Sequence, residues 1–289
     1  MVDPRRNRYL DAMGVDVWVR RPGGALTGVW EPPAGAAEAE VVAAGLVGPV
    51  EAEAVQAGAV AVEVGEHAPL RPVPAAMVEP AIPMGQANPG DAIAQWDALR
   101  TEILSCTRCL LHKTRTQGVV GVGPQRTDWM VIGEAPGAEE DRRGEPFVGR
   151  AGHLLDAMLH AIGLNRGTNV YIANVLKSRP PGNRDPKPEE VAACLPYLMR
   201  QIALLQPRLM LAVGRIAAQN LLNTDMPLGR LRGKVHHFGE LNTPLIVTYH
   251  PAYLLRTPAD KRKAWEDLKF ARNVFRQLAD RVGTDGNLC

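Results

Sequence analysis

Short apolar runs alternate with longer amphipathic stretches from residue 96 onward. Buried runs that alternate with segments of helical periodicity are typical of a parallel sheet covered by helices on both faces. The pattern therefore predicts an α/β fold, a three-layer α/β/α sandwich around a central, mostly parallel four-stranded sheet. The predicted strands are 128–133, 169–175, 208–214 and 244–250, and the predicted helices are 91–106, 152–162, 187–205, 216–222 and 259–278.

The first 90 residues lack this periodicity. Residues 31–90 are dominated by Ala, Val, Pro, Gly and Glu and contain nine prolines, which predicts a flexible linker. Residues 1–21 read as a short helix and a small apolar strand, either a docking peptide or a loosely packed terminus. We expect an N-terminal segment of unknown role at 1–21, a Pro/Ala/Gly-rich linker at 22–90 and a folded domain at 91–289. The arm suggests a tether to a protein partner that the sequence does not identify.

Charge divides the chain at the same place. Residues 1–95 carry a net charge of −6 and residues 96–289 carry +8, against +2 for the whole chain. A basic domain fits a polyanion such as nucleic acid, because neutralised phosphates release counterions, although an ordinary solvated surface is the alternative. No apolar run approaches the roughly 20 residues that cross a bilayer, and the start lacks the apolar core of a secretion signal. We expect a cytoplasmic protein without membrane contacts.

Unusual polar residues follow three of the predicted strands. Glu134 comes directly after the first strand, Asn174 lies near the end of the second, and His250 ends the fourth. The carboxyl ends of parallel strands meet at one edge of a sheet, and ligands of open α/β sheets bind there. Core packing alone does not explain a carboxylate, an amide and an imidazole at this edge, so we expect an active site.

Three long motifs carry a family resemblance. GEAPGAEEDRRGEPFVGRAGHLL at 133–155, ANVLKSRPPGNRDP at 173–186 and HPAYLLR at 250–256 closely resemble family four of the uracil-DNA glycosylase superfamily. The similarity spans the folded part of the chain. It implies an enzyme that flips uracil out of DNA and hydrolyses its N-glycosidic bond, since a base inside a duplex is unreachable.

The resemblance assigns recognition of the base to the first two motifs. Phe147 matches the aromatic residue that stacks on the flipped uracil, and any aromatic face can stack a base. Asn174 matches the residue that identifies uracil. The nitrogen of a side-chain amide donates to O4 of uracil, and its oxygen accepts from N3–H. Glu140 matches a glutamate near the C5 edge and is a candidate for excluding thymine. Ala135 and Gly137 complete the expected binding segment.

The resemblance also implies how the bond is cleaved. Cleavage leaves positive charge on the sugar and negative charge on the departing base, and electrostatic support for both needs no metal or cofactor. Glu134 is expected to orient the attacking water and to stabilise the cationic sugar. His250 is expected near O2 of uracil, either neutral or protonated, and Asn183 matches another position near the site. Since Ala135 stands where the most active relatives carry an aspartate, more of the rate should come from charge stabilisation.

Contacts with DNA are expected from the third motif and from nearby arginines. A loop at 253–255 is expected to insert its apolar tip into the space that the flipped base vacates, as wedging side chains do elsewhere. The residues concerned are Tyr253, Leu254 and Leu255, and the candidate phosphate contacts are Arg150, Arg179, Arg184 and Arg256.

The family binds a [4Fe–4S] cluster through four cysteines, and this chain departs from that pattern. Cys106 and Cys109 match the C-x-x-C pair, Cys194 matches the fourth ligand, and Ser178 occupies the third position. Three outcomes stay open: a cluster with an oxygen ligand at one iron, a three-iron or labile cluster, or no cluster. Zinc would also fit the bare C-x-x-C spacing.

The main alternative keeps the fold without the activity. It is a module that binds uracil or single-stranded DNA without cleaving it, and the presence of Glu134, Asn174 and His250 argues against it. A serine hydrolase is not indicated, because the chain lacks a Gly-x-Ser-x-Gly elbow. We expect a monomer, since base excision needs only one active site.

Overall fold

The computed structural model describes residues 89–285. The predicted N-terminal segment at 1–21 and all but the last two residues of the predicted linker lie outside this range. Each of the five predicted helices is present, and most of their ends lie within two residues of the prediction. The helices are α1 (Pro89–Ser105), α2 (Ala138–Arg143), α3 (Arg150–Ala161), α4 (Pro188–Leu205), α5 (Arg215–Leu222), α6 (Leu228–Leu231), α7 (Pro251–Arg256) and α8 (Lys261–Asp285).

The sheet has the order β2-β1-β3-β5-β4, in which the first four strands run parallel. Because the parallel strands point the same way, their carboxyl ends form one edge. The register pairs Gly133, the last residue of β1, with Asn174, the last residue of β2. The strands are β1 (Trp129–Gly133), β2 (Tyr171–Asn174), β3 (Leu209–Val213), β4 (His236–Phe238) and β5 (Thr243–Thr248).

The predicted α/β fold and mostly parallel sheet are confirmed, but the strand count of four was wrong. The additional strand is β4, which pairs antiparallel with β5 at the edge of the sheet. It contains only three residues, none of them fully buried. A strand this short and this exposed shows neither a buried apolar run nor a clear alternation, so the pattern of the sequence could not indicate it.

The two faces of the sheet pack against different helices. Met130 and Ile132 of β1 face a core that includes residues of α1, α4 and α5. Trp129 and Val131, which alternate with them, face a second core shared with α3 and α8. Each fully buried apolar side chain contributes about 1.5–3 kcal/mol, so this double burial holds the strand ends in place.

The third motif is a helix and not the predicted loop. His250 caps α7, and Pro251 occupies the first turn, where its missing N–H costs nothing. Leu254 is only 1% exposed and belongs to the core, so its predicted place at an apolar tip that enters DNA was wrong. Leu255, 37% exposed, is the leucine of this helix that solvent reaches. The motif alone did not show that a helix directs these two adjacent side chains to different faces.

Candidate active site

Asn174 lies at the carboxyl end of β2 with its side chain almost fully buried. Its Oδ1 has no hydrogen-bond partner within the described part of the chain. A buried polar atom without a partner costs about 1–3 kcal/mol, so such atoms are rare outside functional sites. A side chain on Gly133 would collide with Oδ1 of Asn174 and with the ring of Phe147. The glycine therefore allows the amide and the ring to approach the same point.

Phe147 forms the second wall of this site. Phe147 is 6% exposed, and the centroid of its ring lies 5.6 Å from that of His250 at an interplanar angle of 32°. The backbone of Phe147 is left-handed, with a φ of 55°. This conformation costs a non-glycine residue about 1–3 kcal/mol and persists only where the surroundings enforce it. The ring is buried and lies against that of His250.

Glu140, in α2, holds the loop that carries Phe147. Its Oε2 accepts the backbone N–H of Gly137 at 3.1 Å, and its Oε1 accepts the N–H groups of Val148 and Gly149 at 2.9 and 3.1 Å. One carboxylate thus joins the two ends of the segment between β1 and α3. A role near the C5 edge of a bound base stays a prediction.

His250 presents one nitrogen to the site and uses the other for its own helix. Its Nδ1 accepts the backbone N–H of Ala252 at 3.1 Å. Burial, with a smaller contribution from Arg256, lowers the pKa of His250 to about 4, whereas Glu140 acts in the opposite direction. The ring is therefore neutral near pH 7, and because Nδ1 is an acceptor its proton lies on Nε2. The Cβ of His250 packs against Gly214, whose φ of +99° and tight space exclude a side chain.

Glu134 follows β1 at the same edge. Burial, with a smaller contribution from Asp185, raises the pKa of Glu134 to about 7, and Arg215 opposes this rise. The guanidinium of Arg215 pairs with Asp185 at 2.7 Å. A carboxyl that is half ionised at neutral pH is suited to proton transfer or to orienting water.

The other predicted contact residues lie on exposed or half-exposed surface. Asn183 accepts a hydrogen bond from Nε of Arg179 at 2.7 Å. Arg184 forms a two-pronged ion pair with Glu190, which restrains it. Arg150 begins α3, and Arg256 ends α7. None of these contacts assigns a catalytic task to Asn183, so its role stays a prediction.

Three charged residues near the site were not anticipated from the sequence. Arg215 directly follows Gly214 at the carboxyl end of β3. Because β3 is parallel to the three strands whose ends carry Glu134, Asn174 and His250, the position of Arg215 in the sequence could have indicated it. Asp185 belongs to the second motif. Arg166 lies between α3 and β2 and donates to the carbonyl of Phe147 at 2.8 Å, a contact across 19 residues that no local pattern indicates.

Cys194 lies in the core that α1, α4 and α5 share, and Cys106 and Cys109 pack against the same core. Burial, with smaller contributions from the thiols of Cys109 and Cys106, raises the pKa of Cys194 to about 11, and Lys177 opposes this rise. The hydroxyl of Ser178 is buried and accepts Nη1 of Arg115 at 2.8 Å. Among the residues that the structure describes, no three His, Cys, Asp or Glu side chains are placed to hold a metal ion. These residues do not fit a cluster bound by four thiolates.

No helix in residues 89–285 is long and apolar enough to cross a membrane.

Comparisons with known proteins identify the relatives of this chain. Residues 120–269, slightly more than half of the chain, match the model of the uracil DNA glycosylase superfamily. A type-4 uracil-DNA glycosylase from Archaeoglobus fulgidus is 46% identical over 60% of this chain and 89% of its own length. Type-4 enzymes from Pyrobaculum aerophilum and Thermotoga maritima are 45% and 40% identical, over 57% and 61% of this chain and 87% and 92% of their own lengths.

Proposed function

This chain belongs to the uracil DNA glycosylase superfamily, and we propose that it excises uracil from DNA by hydrolysing the N-glycosidic bond, which leaves an abasic site for repair. The observation that carries the proposal is the unpaired Oδ1 of Asn174, buried beside Phe147 at a sheet edge that also holds Glu134 and His250. A site built around an unsatisfied amide requires a ligand that satisfies it.

Asn174 identifies the base. Uracil offers an N3–H donor, which pairs with the unpartnered Oδ1, and an O4 acceptor, which pairs with the amide nitrogen. Cytosine has no proton at N3 and presents a donor at the other position, so both bonds would be lost. Each unmade buried bond costs about 1–3 kcal/mol, which is enough for strong discrimination. Phe147 adds affinity by stacking on the base without distinguishing one base from another.

His250 stabilises the leaving group. The negative charge on the departing uracil is shared with O2, and a hydrogen-bond donor placed at this oxygen lowers the barrier. The contact between Nδ1 and Ala252 leaves Nε2–H as that donor. Of the two protonation states that the sequence left open, the lowered pKa of His250 supports the neutral one.

Glu134 acts at the sugar. In its ionised form the carboxylate attracts the positive charge that develops on the sugar ring, and it accepts a hydrogen bond from the attacking water. Burial is the largest cause of its raised pKa, and its neighbours adjust that pKa, because Asp185 favours the protonated form and Arg215 favours the carboxylate.

DNA is held by the basic face around the sheet edge. Arg150, Arg179 and Arg256 are assigned to phosphates, whereas Arg184 is largely committed to Glu190. Of the predicted tip, Leu255 and the half-buried Tyr253 stay candidates for filling the vacated space, whereas Leu254 is buried in the core. Phosphate contacts contribute affinity that falls with salt and that does not depend on sequence.

Hydrogen bonds within the protein connect the segments that carry the predicted cluster positions. The guanidinium of Arg115 donates to the carbonyls of Leu104 and Cys106 at 2.7 and 3.0 Å, near the end of α1, and to Ser178. It thereby satisfies carbonyls that a helix end leaves without partners. Protein hydrogen bonds thus tie α1 to the loop after β2, and no step of the cleavage is assigned to a cluster.

A glycosylase assay with a binding control tests the proposal. Purified chain is incubated with an oligonucleotide that contains one uracil, and abasic sites are detected as breaks after alkali. We expect breaks at uracil alone and a loss of about a hundredfold or more in Glu134→Gln, which keeps the shape but not the charge. Folded protein that shifts this oligonucleotide on a gel without cleaving it would support the binding module instead.

A further inference from the structure

The left-handed backbone of Phe147 raises the question of what enforces it. A side chain on Gly152 would collide with the carbonyl group of Phe147, so α3 packs directly against this peptide. Packing restricts where the peptide lies. It does not by itself determine how the peptide is rotated, and that rotation sets the direction in which the ring leaves the chain.

The peptide group between Phe147 and Val148 is held at both of its polar ends. Its carbonyl oxygen accepts Nη2 of Arg166 at 2.8 Å, and its N–H donates to Oε1 of Glu140 at 2.9 Å. A guanidinium and a carboxylate thus form hydrogen bonds with opposite ends of the same peptide group. Hydrogen bonds to charged groups are roughly twice as strong as neutral ones, and this pair fixes the rotation of the peptide plane.

Arg166 is itself immobilised. Its Nε donates to Asp156 in α3 at 2.8 Å, and its Nη1 donates to Glu145 and to the carbonyl of Pro146 at 3.2 and 3.0 Å. The side chain of Arg166 is 18% exposed, in contrast to the more exposed ion pairs of the surface. Because α3 and the loop anchor the guanidinium at several points, its position is determined before substrate arrives.

We propose that Arg166 and Glu140 form a clamp on the Phe147–Val148 peptide, and that Arg166 is a positioning residue that aims the Phe147 ring at the extruded base. The proposal rests on the proposed function, since it concerns the same site. Arg166 does not touch the substrate; it acts through Phe147. A displacement of about 1 Å in a positioning group can cost a hundredfold in rate, so loss of the clamp has a measurable effect.

A double-mutant cycle between Arg166 and Phe147 separates this role from a general stabilising one. Arg166→Met and Phe147→Ala are each expected to lower kcat/KM for uracil-containing DNA by about ten- to a hundredfold. The double variant is expected to be no worse than Phe147→Ala within about twofold, because the clamp has nothing to aim once the ring is gone. Multiplied losses in the double variant would overturn the proposal, and so would full activity of Arg166→Met.

The matched control is Arg200→Met. Arg200 forms a two-pronged pair with Glu102 between α4 and α1, away from the site. We expect both Met variants to lower Tm, but only Arg166→Met to lose activity and affinity for free uracil. Equal losses of activity and of uracil affinity in the two variants would show that Arg166 has only a structural role.

Two further outcomes are distinguishable. If Arg166→Met does not fold, Arg166→Lys takes its place in the double-mutant cycle, because one ammonium cannot reproduce the planar guanidinium that joins Asp156 to the Phe147 carbonyl. We again expect the double variant to be no worse than Phe147→Ala. Multiplied losses would contradict the clamp. If the wild-type chain leaves uracil-containing DNA uncut, the proposed function fails, whereas an active wild type with an unaffected Arg166 variant refutes the clamp alone.

Discussion

The rings of Phe147 and His250 lie 5.6 Å apart, centroid to centroid, although 103 residues separate them in the chain. One ring comes from the segment between β1 and α3, and the other caps α7 at the far end of β5. Their contact closes the site across the sheet edge. It follows that the ring proposed to stack on the base and the imidazole proposed as donor to the leaving group are positioned together.

Gly133 is expected to be essential for activity and not merely for packing. A Cβ at this position meets Oδ1 of Asn174 and the ring of Phe147, and both would have to move. We expect Gly133→Ala to lower kcat/KM by about a hundredfold or more, since both displaced groups are the ones proposed to contact the base. Gly229→Ala is the control, because a Cβ there meets nothing within 4 Å. Comparable activity of the two variants would contradict the placement of the site.

The pH dependence of cleavage should report Glu134. Its raised pKa means that the carboxylate forms only as the pH rises through about 7, so kcat/KM should increase through that value and then level off. His250 stays neutral across this range because its pKa lies near 4. Glu134→Gln should lose both activity and this ionisation. A wild-type profile that is flat between about pH 5 and 9 would exclude Glu134 as the titrating group.

The raised pKa of Glu134 also predicts that stability falls as the pH rises, whereas activity increases. The folded state holds the proton of Glu134 up to about pH 7, whereas the unfolded chain releases it near 4.5. Folding therefore takes up a proton, and the contribution of this group to the free energy of unfolding falls as the pH rises through that window. Urea titrations should show a smaller fall between these pH values in Glu134→Gln than in the wild type.

The buried pair of Arg232 and Asp267 is expected to carry much of the stability of the α8 face. Asp267 is 3% exposed and accepts two hydrogen bonds from Arg232 and one from Thr248. Arg232→Met leaves a buried carboxylate poorly compensated, which should cost about 3–5 kcal/mol in urea unfolding. Arg142→Met, which breaks an exposed pair with Glu139, should cost less than about 1 kcal/mol. Equal effects would contradict the burial of the first pair.

Ser178 should determine whether the cysteine corner holds iron. Because the hydroxyl is engaged by Arg115, the purified chain is expected to contain little iron and to lack broad visible absorbance. Ser178→Cys should gain both after anaerobic reconstitution, whereas Thr224→Cys, a surface control, should not. A wild-type chain that already carries four irons would show that a serine or water ligand suffices.

Much of the fold was predictable because buried parallel strands leave continuous apolar runs, and the ends of those runs indicated the site edge. Leu254 could not be placed, since the rotation of the helix about its axis decides which of two adjacent leucines faces the core. Arg166 could not be inferred either, nor could the role of Glu140 in holding the loop. Arg166 and Glu140 act on backbone groups, and a hydrogen bond to a backbone group leaves no pattern in the residue types it joins.

The most direct test of the central claim is single-turnover excision from duplexes that differ only in one base. Wild-type chain and Asn174→Ala are compared on uracil, cytosine and thymine in the same sequence. We expect excision of uracil alone, and a loss of roughly ten- to a thousandfold in the variant because the hydrogen bonds to N3–H and O4 are gone. Equal excision of cytosine by the wild type, or an Asn174→Ala variant as fast as the wild type, would contradict the assignment of base recognition to this amide.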